Sequence, residues 1–240
     1  MSIAIAMWSG PRNISTAMMR AWENRTDCTV VDEPFYACYL KETGAQHPCR
    51  DEVLASQPTE RDEVIRALLK PRDSALFYQK HMTHHMPERC DLSWTTELKN
   101  VFLIRQPRQV IASYLQKMPS VCADDIGIVR QQALFQSITE LTGSRPPVID
   151  STDVLRNPRG ALQALCHRLN IPFSDAMLQW PAGPRASDGV WANHWYPAVR
   201  ASTGFAAPDD AYKPLPDSAS RLAEAMEPYY QELAQHRLQA

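Results

Sequence analysis

Five short stretches of this chain are apolar or β-branched and end in polar or turn-forming residues: positions 2–8, 26–33, 75–80, 100–105 and 147–151. Runs of that length between turn signals read as strands. Between them, apolar positions recur at helical spacing over 17–22, 60–70, 109–117, 123–141 and 159–169, which reads as helix. Pro71 closes the second of these helices, and Pro107 stands near the first position of the third. In 123–141 the stripe Val129, Ala133, Leu134, Ile138 and Leu141 is core. A last helix is expected to start near Ala219, capped by Ser218, with Pro228 breaking or kinking it. Strands alternating with helices predict an α/β fold: one domain over 1–240, with a mainly parallel central sheet and helices on both faces.

Two stretches lack periodicity. Residues 35–57 hold Gly44, Pro48 and many polar positions, and read as a lid or substrate-facing loop. Residues 181–205 are rich in Pro, Gly and aromatics and read as loop. There Trp191, Trp195 and Tyr196 either stack on a ligand ring or staple the loop to the core.

Composition narrows the classes. The chain has 240 residues, 44% hydrophobic and 22% charged, with a net charge of −2. That is globular composition, and it demands no basic face for nucleic acid. No stretch reaches the roughly eighteen apolar residues of a membrane helix, and the N-terminus lacks a signal-peptide layout. The six cysteines are scattered without a Cys-x-x-Cys pair. Reduced thiols in a cytoplasm are therefore the expectation, with no metal site. Oligomeric state has no signature in the chain.

The candidate chemistry begins at 9–16, Ser-Gly-Pro-Arg-Asn-Ile-Ser-Thr, between the first strand and the first helix. Gly10 and Pro11 punctuate the turn, and Ser15 and Thr16 open the helix, where free N–H groups and the dipole attract an anion. Arg12 can grip the same anion with two donors. Ile14 and Ser15 replace the Gly-Lys that a nucleotide-triphosphatase loop requires. At the second strand end, Asp32 and Glu33 would sit beside this loop if that strand neighbours the first, offering a base or a cation partner. Lys80 with His81, His84 and His85 crowds the third strand end, a cluster suited to moving protons. Arg105 ends the fourth strand and Ser113 lies in the next helix, so both could hold one phosphate.

The segment 104–114, Ile-Arg-Gln-Pro-Arg-Gln-Val-Ile-Ala-Ser-Tyr, resembles the 3′-phosphate-binding segment of PAPS-dependent sulfotransferases. In that family an arginine ending a strand and a serine eight residues later hold the donor, 3′-phosphoadenosine 5′-phosphosulfate (PAPS); Arg105 and Ser113 have that spacing. The first loop resembles the family's 5′-phosphosulfate loop, with Arg12, Asn13, Ser15 and Thr16 on its positions; many members carry lysine where Arg12 stands. The strand, acidic residue, leucine and proline of 147–158 resemble a further family segment. Ser187-Asp188-Gly189-Val190-Trp191 resembles the loop that closes over the donor, which would place Gly189 and Trp191 on the nucleotide. The resemblance implies a P-loop-like fold. It implies transfer of a sulfuryl group from PAPS to a hydroxyl or amine of a small molecule, releasing adenosine 3′,5′-bisphosphate (PAP). No metal is implied. The acceptor's base is Glu33 or one of His81, His84 and His85. A P-loop small-molecule kinase using ATP and Mg²⁺, and a PAP-binding protein without turnover, are the competing readings.

Overall fold

A computed structural model describes residues 2–208 and 214–239. Its frame is a five-stranded, all-parallel sheet: β1 (Ile3–Ser9), β2 (Cys28–Asp32), β3 (Leu76–Met82), β4 (Lys99–Ile104) and β5 (Val148–Asp150), in the order β2-β3-β1-β4-β5. The central strand shows why its sequence is apolar without alternation. Ala6 and Trp8 point into one core layer with Phe77, Phe102 and Ile104, while Ile5 and Met7 point into the other with Tyr78, Val101 and Leu103. A strand covered on both faces needs apolar residues at odd and even positions alike.

The helices are α1 (Ser15–Glu23), α2 (Tyr36–Thr43), α3 (Arg50–Ser56), α4 (Arg61–Leu69), α5 (Pro107–Tyr114) and α6 (Ala123–Ile126). They continue with α7 (Ile128–Thr142), α8 (Ser151–Arg156), α9 (Pro158–Leu169), α10 (Ala192–Trp195), α11 (Pro197–Arg200) and α12 (Asp217–Ala234). α1 and α9 cover one face through Met18, Met19, Trp22, Leu162 and Leu165. α4, α5, α7 and α12 cover the other through Leu68, Ile111, Leu134, Ile138 and Ala223. None of the described helices is long and apolar enough to cross a membrane.

Three local expectations change. Residues 35–57 hold two helices rather than an irregular loop: Tyr36, Ala37, Leu40 and Val53 bury themselves in a small separate core, and Gly44 at φ 70° ends α2 in the left-handed cap that favours glycine. Helix α12 is not broken at Pro228 but continues to Ala234, because Ala219, Ala223, Met226 and Leu233 anchor it to the sheet layer on both sides of the lost hydrogen bond. β2 does not neighbour β1; β3 lies between them. Asp32 and Glu33 nonetheless leave the same carboxyl edge as the first loop, because every strand is parallel.

Candidate active site

A cavity of about 400 Å³ opens along that edge. One part of its wall is the loop between β1 and α1, from Pro11 to Ala17. The loop is sharply bent: Arg12 has φ 56° and Ile14 φ 50°, a conformation that disfavours a β-branched residue and costs roughly 1–3 kcal/mol. Ile14 is the N-cap of α1 and gives no side-chain cap, so the first N–H groups of the helix have no intrahelical partner. Gly10 lies behind the wall, where a Cβ would stand 2.6 Å from the Ile126 carbonyl oxygen. Buried Asn13 donates from Nδ2 to the Leu103 carbonyl, tying the loop to β4.

Arg105 leaves β4 and donates to the Arg12 carbonyl at 2.6 Å and to Gln109 Oε1 at 3.2 Å. Arg12 in turn donates from Nε to Ser113 Oγ on α5 at 3.1 Å. The two arginines and the serine that the sequence singled out therefore meet beside the helix start. Arg12 is half-buried and has no carboxylate partner among the described residues; burial lowers its pKa. A desolvated cation facing free N–H groups is a site for an anion.

The β2 and β3 strand ends build the rest. Lys80 is fully buried, with Nζ 2.8 Å from Asp32 Oδ1, 2.6 Å from Glu33 Oε1 and 2.6 Å from the Tyr196 hydroxyl. Tyr196 accepts from Trp191 Nε1 at 3.0 Å and donates to Asp32 at 2.8 Å. Glu33 sits at φ 43° and lines the cavity. Burial raises its pKa, opposed by Lys80 and reinforced by the nearby Asp32 carboxylate. Its Oε2 lies 4.0 Å from His85 Nε2. His85 is stacked between Tyr36 and Tyr39, at 4.6 and 5.0 Å between ring centres. Burial lowers the His85 pKa and pushes His84 down to about 4, so both are neutral imidazoles near pH 7.

The structure separates the expected residues. Arg12, Asn13, Ile14, Ser15, Thr16, Glu33, His84, His85, Arg105 and Ser113 all line the cavity, with Pro11 at its edge. His81 does not: it stacks on Trp8 at 4.4 Å, pairs with Gln79, and burial pushes it down to about 3. It is a core residue, because strand alternation turns it away from the face that Lys80 and Met82 share. Gly189 and Trp191 do not line the cavity either. Trp191 is buried in the small core with Tyr36 and Val53, and a Cβ on Gly189 would overlap its ring. Gly189 donates from its backbone to Asp32. The segment is a staple, and the residue it delivers to the site is Tyr196. The sequence marks Tyr196 only as one ring of an aromatic cluster in a loop; nothing local shows that its hydroxyl meets Lys80 and Asp32. Among the described residues no three His, Cys, Asp or Glu side chains are grouped to hold a metal ion.

The family model of the sulfotransferase domain matches residues 3–237. The chain belongs to the sulfotransferase-domain family. Solved sulfotransferases share its fold. One from Alicyclobacillus acidocaldarius superposes with a TM-score of 0.59 at 11% identity, covering 99% of this chain and 97% of that one. A mouse sulfotransferase complexed with PAP gives 0.53 at 10% identity, covering 98% and 89%. Two Arabidopsis thaliana proteins named branched-chain-amino-acid aminotransferase-like protein 1 and 2 are 35% and 32% identical over 233 residues. That is 97% of this chain but only 42% and 41% of theirs, so the chain spans about two fifths of the length of these relatives.

Proposed function

We propose that this sulfotransferase-family protein transfers a sulfuryl group from PAPS to a hydroxyl or amine of a small-molecule acceptor. The observation that carries the reading is Arg12: a half-buried guanidinium without a counter-ion among the described residues, held by Ser113 beside the open N-terminus of α1. The donor's 5′-phosphosulfate supplies the missing anion there, cradled by the N–H groups of residues 15–17. Arg105 and Ser113, one at a strand end and one on the following helix, border the same cavity and take the 3′-phosphate.

The step is an in-line displacement at sulfur. Glu33 Oε2 accepts the acceptor's proton as its oxygen or nitrogen bonds to sulfur. The bond from sulfur to the bridging oxygen breaks, and PAP leaves with that electron pair. Arg12 offsets the charge that develops on the bridging oxygen. Glu33 suits the base because burial raises its proton affinity above that of an exposed carboxylate while the Lys80 ammonium favours its ionised form. The neutral rings of His84 and His85, with Tyr36 and Tyr39, wall the acceptor side. The relative complexed with PAP supports the choice of donor.

Calorimetric titration with PAP, beside ATP plus Mg²⁺, tests the proposal. Binding of PAP and indifference to ATP supports it. Binding of ATP with Mg²⁺ and none of PAP would replace it with a kinase. PAP binding without transfer to any hydroxyl or amine in an acceptor screen would leave a nucleotide-binding protein.

A further inference from the structure

The reading of Glu33 as base leaves a fully buried lysine unexplained. Lys80 has three N–H donors and three oxygen partners, on Asp32, Glu33 and Tyr196, each within 2.8 Å. It therefore has no donor to spare for an incoming ligand. Its partners divide Glu33 unequally. Oε1 takes the ammonium at 2.6 Å and lies 3.4 Å from the Tyr196 hydroxyl, while Oε2 accepts no hydrogen bond among the described residues. The carboxylate is thus held by one oxygen and presented by the other, on a backbone in the left-handed region. Tyr196 comes from a distant segment, and its hydroxyl is locked by Trp191 Nε1, Asp32 and Lys80 together.

We propose that Lys80 and Tyr196, bridged by Asp32, are positioning residues for Glu33: they fix its Oε1, direct Oε2 to the acceptor, and set its proton affinity. This rests on the reading of Glu33 as base. The charged and titratable groups facing Glu33 are Lys80 from β3, Asp32 from β2, Tyr196 beyond α10, His85 after β3 and Tyr36 from α2. His85 and Tyr36 are neutral near pH 7, so the lysine and the aspartate dominate, with opposite signs. Removing the ammonium destabilises the Glu33 carboxylate; removing the Asp32 charge stabilises it.

The test is a ¹³C NMR titration of protein labelled at the glutamate side-chain carboxyl carbon, with the Glu33 signal identified by its loss in Glu33→Gln. Lys80→Met should raise the Glu33 midpoint by about one pH unit or more, Tyr196→Phe should raise it by less, and Asp32→Asn should lower it. PAP affinity serves as the folding check and should stay within about twofold in each variant, since Lys80, Tyr196 and Asp32 spend their hydrogen bonds on one another and on Glu33. Should Lys80→Met fail to fold, the opposed shifts of Tyr196→Phe and Asp32→Asn carry the test. Midpoints that do not move, or that move in one direction for every variant, would overturn the positioning role. Failure of wild-type protein to bind PAP or to transfer sulfuryl would remove the base reading instead, an outcome read by calorimetry and turnover and so distinct from the midpoints.

Discussion

Replacing Arg12 by alanine should weaken PAP sharply and leave the fold as stable as before, or slightly more stable. The guanidinium is half-buried, its side chain donates to Ser113 Oγ at 3.1 Å, and among the described residues no carboxylate offsets its charge. An unpaired desolvated charge is a cost to folding, so its removal relieves the native state. Binding is the reverse. Two unit charges 4 Å apart at an effective dielectric of 20 attract by about 4 kcal/mol, a ceiling that water re-entering the truncated site reduces. A hydrogen bond to a charged group is worth about 1.5–3 kcal/mol, or roughly 10- to 150-fold in affinity. Calorimetry with PAP should show a loss in that range for Arg12→Ala, with a shallower salt dependence. Arg12→Lys should recover part of it, keeping the charge without the fork. Ser113→Ala should cost about 1 kcal/mol, less when Arg12 is already absent. PAP affinity within threefold of wild type in a folded Arg12→Ala protein would refute the anion site.

Glu33→Gln should lower turnover by about 10²- to 10⁴-fold with PAP affinity nearly unchanged; equal activity would refute the base. Stability should fall as pH drops below about 6.5, because His81 and His84 titrate near 3 and near 4 in the folded protein and the unfolded chain takes up protons first. Between those limits each contributes a slope of about 1.4 kcal/mol per pH unit, so chemical denaturation of His81→Gln should show a flatter acid limb than wild type. An unchanged slope would remove His81 from the account. Gly10→Ala forces a Cβ to within 2.6 Å of the Ile126 carbonyl, and should lower the melting temperature by about 3–6 °C and displace the loop proposed to bind PAP. Unaltered melting would show that the loop yields there at no cost.

The local chemistry of the chain was legible without coordinates. Hydrophobic runs such as 2–8 and 100–105 are short, bounded by turn residues, and form strands of a sheet covered on both faces, which accepts apolar residues at odd and even positions alike. The turn from Gly10 to Thr16 marks the proposed anion site through residues close in sequence, and the spacing from Arg105 to Ser113 spans one strand end and about two helix turns. What the sequence could not carry depends on contacts across the fold. That His81 belongs to the core while His84 and His85 reach the cavity follows from the alternation of β3 and from the turn after it. The two helices inside 35–57 exist because Trp191 and Ala192, about 140 residues away, bury their apolar sides, and propensity over so few residues does not foretell that. Tyr196 joins Lys80 across more than a hundred positions. Local sequence fixes where chain ends, turns and charges lie; burial, which sets what each charge must pair with, is a property of the closed structure alone.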